Sequence, residues 1–69
     1  MKQIWIMGIH NISAVVVDDE LNSRQMLIHL LKRYCDQVNV IAEADTVEEA
    51  IALIQNKKPD LVFLDIQMP

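Results

Sequence analysis

Cysteine is almost absent from this sequence, and basic residues are few. The single cysteine, Cys35, excludes a disulfide within the chain, and no cluster of Cys and His has the spacing of a zinc site. Six Lys and Arg stand against ten Asp and Glu, which gives a net charge of −4. Because a surface that binds phosphates needs concentrated Lys and Arg, we expect no nucleic-acid partner for this segment.

The chain also lacks the length to build a large core. Its 69 residues make at most one small domain, and a single core of this size rarely supplies more than roughly 3–5 kcal/mol of stability. Small domains usually compensate with disulfides, metals or association. Since the sequence offers neither a disulfide nor zinc ligands, association with another chain is the remaining option.

Long apolar runs are absent as well. The most apolar stretch outside the predicted core is residues 1–12, where Gly8, His10 and Asn11 interrupt the pattern. It is too short to span a membrane and has no signal-peptide cleavage site, so we expect a cytoplasmic protein without a membrane partner. We interpret residues 1–12 as an apolar N-terminal extension. Three interpretations of this extension stay open: an extra edge strand, a patch that docks on a partner, or a translated leader before a true start at Met7.

Five segments with the periodicity of regular structure alternate along the rest of the chain. Three short apolar runs predict strands at Ala14–Val17, Val38–Ala42 and Leu61–Leu64. Two amphipathic stretches predict helices, one over about Asn22–Tyr34 and one after Thr46. The β-α-β-α-β order implies parallel strands with helices on the faces of the sheet.

The two predicted helices each carry an apolar stripe with the spacing i, i+3, i+4, i+7. The stripe of the first helix contains Leu27, Leu30, Leu31 and Tyr34, and that of the second contains Val47, Ala50, Ile51 and Ile54. Residues 43–45 are predicted to form a loop. Thr46 and Glu49 match a capping box, in which each side chain binds a backbone N–H of the other residue.

Acidic residues follow two of the predicted strands. Asp18 and Asp19 come directly after the first strand, and Asp65 follows the third. If these strands are neighbours, the carboxylates converge at one edge of the sheet. Such a group suits a hard cation such as Mg²⁺, and it also suits a carboxylate nucleophile that forms an aspartyl phosphate. The two explanations fit together, because Mg²⁺ neutralises charge that would repel a phosphodonor.

Two motifs resemble those of a known family. They are Val-Asp-Asp-Glu at 17–20 and Pro-Asp-Leu-Val-Phe-Leu-Asp-Ile-Gln-Met-Pro at 59–69. With the order of elements between them, they make residues 13–69 similar to part of the receiver domain of bacterial two-component response regulators. The second motif is similar to that of regulators with a LytTR-type DNA-binding output domain.

The resemblance implies a function for each of the acids. Asp65 would be the phosphoacceptor, phosphorylated by a partner sensor histidine kinase. Asp18, Asp19, Asp65 and the backbone carbonyl of Gln67 would bind Mg²⁺, with Glu20 as a neighbour of the site. A domain of this kind is not an enzyme beyond catalysing its own phosphorylation.

The resemblance also implies a flavodoxin-like doubly wound sheet with strand order 2-1-3-4-5. This sequence covers the 2-1-3 portion, so we expect a receiver truncated after the third strand, without the Ser/Thr and Lys that later strands supply. An alternative is therefore a fragment incompetent for phosphorylation, which forms a homodimer through the exposed strand Leu61–Leu64. A phosphohydrolase with an Asp nucleophile is disfavoured, because Gln67 stands where such enzymes usually place a second acid.

Overall fold

A computed structural model of the protein describes residues 11–66, and residues 1–10 of the extension expected at residues 1–12 lie outside this range. The described elements are β1 (Ile12–Asp18), α1 (Leu21–Tyr34), β2 (Val38–Ala44), α2 (Val47–Lys57) and β3 (Leu61–Asp65). The predicted β-α-β-α-β order is confirmed. Neither helix in this part of the chain is long and apolar enough to cross a membrane.

The three strands form one parallel sheet in the order β2-β1-β3, which confirms the predicted 2-1-3 arrangement. β1 pairs with β2 from Ile12↔Val38 to Val17↔Ala44, with one irregularity after Ala14. On its other side β1 pairs with β3 in an unbroken register that ends at Asp18↔Asp65. The first strand of the sequence is therefore the central strand of the sheet.

The core is built on both faces of β1, whose residues alternate between two hydrophobic clusters. Val15 and Val17 pack with Ala44 and with Ala50 of α2. Val16 faces the other way, where it packs with buried residues of α1. A continuous run of β-branched residues thus suits a strand that a helix covers on each face.

The buried face of α1 differs from the predicted stripe. Ile28 and Leu31 are buried, whereas Leu30 is 42% exposed and Tyr34 is 69% exposed. The helix carries more apolar residues than one face can hold. The stripe expected from periodicity is therefore rotated about the helix axis relative to the buried face. Ile28 gains the buried position because it lies against Val16 of the central strand.

The buried face of α2 also differs from the prediction. Ala50 is buried and Leu53 packs against the core, while Ile51 is 50% exposed. The small side chain of Ala50 lets the helix backbone approach the sheet, and Leu53 lies one turn further on the same side. Ile54, also predicted to lie in the stripe, is 37% exposed.

Both ends of α2 have identifiable caps. The Thr46 hydroxyl accepts a hydrogen bond from the Glu49 backbone N–H at 3.1 Å, as the capping box predicts. The Glu49 side chain instead lies near that of Asp45, which raises the pKa of the Glu49 carboxyl. At the other end Lys58 adopts a left-handed conformation with φ of 48°, and its N–H donates to the Ile54 carbonyl.

β2 is longer than predicted, because two residues of the expected loop continue the strand. Glu43 pairs with Val16 and Ala44 with Val17, and Ala44 is only 3% exposed. The acidic residue at 43 hid this extension, since a charge in a short apolar run resembles a strand end. Glu43 therefore lies in β2, next to the central strand.

Candidate functional site

The acids at the ends of β1 and β3 lie directly across from each other. Asp18 is the last residue of β1, Asp65 is the last residue of β3, and the two are partners in the parallel register. Adjacent strands lie about 4.8 Å apart, so the two carboxylates start from neighbouring backbone positions. The structure thus brings together the acids that the sequence placed after two separate strands.

A cleft of about 340 Å³ lies at this edge of the sheet, and its lining is mainly acidic. It is lined by Asp18, Asp19, Glu20, Ser23 and Asp65. An adjoining cleft of about 250 Å³ shares Asp18, Ser23 and Asp65 but is bordered by apolar side chains of α1 and β3. The acids therefore lie in an open crevice, beyond the carboxyl ends of two parallel strands.

Asp18 differs from the other acids of the cleft in its burial. It is only 5% exposed, whereas Asp19 and Asp65 are exposed. Its Oδ1 accepts a hydrogen bond from the Glu20 backbone N–H at 2.9 Å, which holds the turn between β1 and α1. Asp18 thus has a fixed position, and the exposed carboxyl of Asp65 is accessible from solvent.

Glu20 is used as the N-cap of α1. Its Oε1 accepts from the Asn22 N–H at 3.1 Å and its Oε2 from the Ser23 N–H at 2.7 Å. Hydrogen bonds from the Ser23 side chain, and then from these backbone groups, lower the pKa of Glu20. Since the helix binds both carboxylate oxygens, Glu20 closes one side of the cleft and stabilises α1.

Arg24, a basic residue that the sequence did not point to, lies beside Asp18. Its Nη1 donates to the backbone carbonyl of Asp18 at 2.8 Å, and its Nε donates to Glu43 Oε1 at 2.7 Å. The hydrogen bond to Glu43 is the main reason that the pKa of Arg24 is raised. The available signal was an arginine one helical turn after three consecutive acids, a position suited to contact with their backbone.

Comparison with known proteins identifies the family of the chain. Residues 14–69 match the family described as the response regulator receiver domain. The chain belongs to this receiver-domain family. The expectation drawn from the motifs at 17–20 and 59–69 is therefore confirmed.

Individual relatives are named as sensory transduction and response regulatory proteins. The chain is 47% identical over 57 residues to the sensory transduction protein LytT of Bacillus anthracis, a match covering 83% of this chain and 23% of LytT. It is 45% identical over 58 residues to an uncharacterized response regulatory protein of Vibrio cholerae, covering 84% and 24% respectively. The chain thus spans about a quarter of the length of the curated relatives it matches. No solved structure matches it.

The oxygen donors of the receiver's cleft suit a hard cation, although they do not form a closed cage. Among residues 11–66, no group of three or more His, Cys, Asp or Glu side chains is gathered closely enough to hold a metal. Mg²⁺ does not require such a group, because it usually keeps several waters and is bound through one or two carboxylates. Gln67, the fourth expected ligand, lies outside the described residues.

Proposed function

We propose that this chain is the phosphoacceptor part of a two-component receiver, and that a sensor histidine kinase phosphorylates it on Asp65. The observation that carries the proposal is the pairing of Asp65 with Asp18 across two parallel strands at an open acidic cleft. The exposed carboxyl of Asp65 is accessible to a phosphodonor, whereas the buried carboxyl of Asp18 is not.

In the proposed reaction an Asp65 carboxylate oxygen attacks phosphorus of the kinase phosphohistidine. An O–P bond forms, the P–N bond breaks, and its electron pair returns to the imidazole nitrogen. Asp18, Asp19, Asp65 and the Gln67 backbone carbonyl would hold Mg²⁺, with one or two of the carboxylates bound directly and the rest through its waters. When bound, this cation offsets the negative charge that accumulates between the carboxylates and the phosphoryl group. The chain acts as the acceptor in this reaction and not as an enzyme with a separate substrate.

Further expectations belong to the same proposal. The 47% identity to LytT supports a function in sensory transduction. A LytTR-type output domain and a cytoplasmic location rest on the motif resemblance and are proposed with it. The net charge of −4 disfavours direct contact of this segment with nucleic acid.

Mass spectrometry after incubation with acetyl phosphate and Mg²⁺ tests the acceptor. We expect the full chain to gain one phosphoryl group, and Asp65→Asn to gain none because the nucleophilic oxygen is lost. The matched control is Asp36→Asn, an exposed acid between α1 and β2, which should be phosphorylated as the wild type is. Phosphorylation of Asp65→Asn would refute Asp65 as the acceptor.

A second candidate function is self-association through β3. Within residues 11–66, β3 pairs with β1 alone, and its residues Leu61 and Leu64 are 38% and 66% exposed. An apolar strand edge is a template for pairing with another chain. The phosphorylation assay bears on this candidate as well. If the chain gains no phosphoryl group but a version extended at its C-terminus gains one, the homodimer is a receiver fragment incompetent for phosphorylation.

Light scattering at micromolar concentration tests this candidate. We expect a dimer that Leu64→Lys converts to a monomer, because a charge on the strand opposes edge pairing. Ile51→Lys places the same charge at a comparably exposed position on α2 and should leave the dimer intact. A monomeric wild-type chain would rule out self-association.

A further inference from the structure

The guanidinium of Arg24 joins three elements of the fold next to Asp18 of the acidic cleft. Arg24 itself lies in the first turn of α1. Its Nη1 reaches the carbonyl of Asp18 at the end of β1, and its Nε reaches the carboxylate of Glu43 in β2. This residue therefore connects the strand that carries the buried acid with the neighbouring strand and helix.

The Glu43 carboxylate that binds the guanidinium has a further partner. Glu43 Oε1 accepts a second hydrogen bond from Gln25 Nε2 at 2.8 Å, so two consecutive residues of α1 bind the same oxygen. The Arg24 side chain is 13% exposed, compared with 43% for that of Glu43. The more buried member of the pair is the one that contacts Asp18.

The contact with Asp18 acts on the peptide group that leads into the acid pair. The Asp18 carbonyl belongs to the peptide bond between Asp18 and Asp19, so fixing its direction fixes how Asp19 leaves the strand. On the other side of that peptide, the Glu20 N–H holds Asp18 Oδ1. The two hydrogen bonds hold the Asp18 carboxylate and the peptide group that leads into Asp19.

We infer that Arg24, anchored by Glu43, is a positioning residue that orients Asp18 and Asp19 for a divalent cation. This inference rests on the proposed function of the cleft. Two separate acceptors are bound through adjacent N–H groups of one planar guanidinium, an arrangement that the single ammonium of lysine does not reproduce. The change in cation affinity when Arg24 is replaced distinguishes this positioning role from a simple effect of its charge.

Electrostatics and positioning predict opposite outcomes when Arg24 is removed. Loss of a positive charge close to the acids would by itself strengthen cation binding. Loss of the hydrogen bond to Asp18 would instead weaken it, since residues that orient metal ligands typically contribute about 10-fold or more to affinity. The direction of the change therefore decides between the two effects.

The experiment measures Mn²⁺ binding to the full chain by electron paramagnetic resonance, with circular dichroism as a check on folding. We expect Arg24→Met to weaken Mn²⁺ binding about 10-fold. Arg33→Met makes the same change at an exposed position in the last turn of α1 and should bind Mn²⁺ as the wild type does. Arg24→Lys keeps the charge and should also bind more weakly, which provides a second test if Arg24→Met does not fold.

Phosphorylation provides a readout that a general loss of stability would not reproduce. If Arg24 acts through the cation, the slower phosphorylation of Arg24→Lys by acetyl phosphate should recover at saturating Mg²⁺. Unchanged or tighter Mn²⁺ binding by the folded variants would overturn the inference, as would a wild-type chain that binds no Mn²⁺. If the wild type binds Mn²⁺ but gains no phosphoryl group, and Arg24→Met binds more weakly, the inference stands and the proposed function fails.

Discussion

Ser13 and Asp60 bind each other reciprocally at the edge of the sheet opposite the acids. Asp60 Oδ2 accepts from the Ser13 N–H at 2.9 Å and from the Ser13 hydroxyl at 3.1 Å. In return the Asp60 N–H donates to the Ser13 carbonyl at 2.9 Å and to its hydroxyl oxygen at 3.0 Å. This pair immediately precedes the β1–β3 register that ends at Asp18 opposite Asp65.

Replacing Asp60 should therefore weaken the alignment of the acids at the far edge. We expect Asp60→Ala to lower the free energy of unfolding by about 1 kcal/mol, because hydrogen bonds to a carboxylate are lost. A register no longer held at its first residue should also slow the proposed phosphorylation of Asp65. Urea denaturation and the acetyl phosphate assay measure the two effects. Asp36→Ala, at an exposed site, is the control, and equal values for both variants would contradict the prediction.

The Asp45–Glu49 contact makes stability depend on pH. The pKa of Glu49 is raised because a hydrogen bond with the Asp45 carboxyl favours its protonated form. The negative charge of Asp45 also disfavours its ionised form. A raised pKa in the folded state gives stability that is present at low pH and is lost as pH rises through that pKa. Glu49→Gln should remove this loss, so that the variant is more stable than the wild type near neutral pH.

Urea denaturation of Glu49→Gln and the wild type at a series of pH values measures the effect. The difference in midpoint should grow as pH rises above the ordinary value of 4.5 for glutamate. Glu48→Gln makes the same change at the adjacent exposed residue and serves as the control. A wild type that is as stable as Glu49→Gln at neutral pH would show that the repulsion is relieved by solvent.

Two consecutive leucines of α1 should respond very differently to truncation. Leu31 is 6% exposed and packs with Val16 and Ile28, so Leu31→Ala should cost roughly 2–5 kcal/mol. Leu30 is 42% exposed, and Leu30→Ala should change stability by less than about 1 kcal/mol. Thermal unfolding followed by circular dichroism compares them. Equal losses would favour the face of α1 expected from periodicity, in which both leucines are buried.

The order of elements and the edge where the acids meet could be predicted from the sequence because both follow from local patterns. Ala14–Val17 and Leu61–Leu64 are unbroken apolar runs, and an acid directly follows each. In a parallel sheet these ends lie at one edge whatever the detailed packing. The position of Asp65 opposite Asp18 needed only the further expectation that β1 and β3 are neighbours.

The rotation of the helices and the role of Arg24 could not be predicted in the same way. Leu27, Leu30 and Leu31 are equally apolar, and only contact with the central strand decides which side chains are buried. The partner of Arg24, Glu43, is 19 residues away and was expected in a loop. A contact of this kind depends on tertiary structure, which the local sequence does not encode.

Because β1 is central and β3 is not, the two strands that carry the acids should open at different rates. β1 is flanked by two strands and covered by a helix on each face, so its backbone amides should exchange hydrogen with solvent most slowly. β3, which pairs with β1 alone among residues 11–66, should open more often and carry Asp65 with it. A cation that binds Asp18 and Asp65 together would select the closed form and slow amide exchange in β3, with little effect on β1.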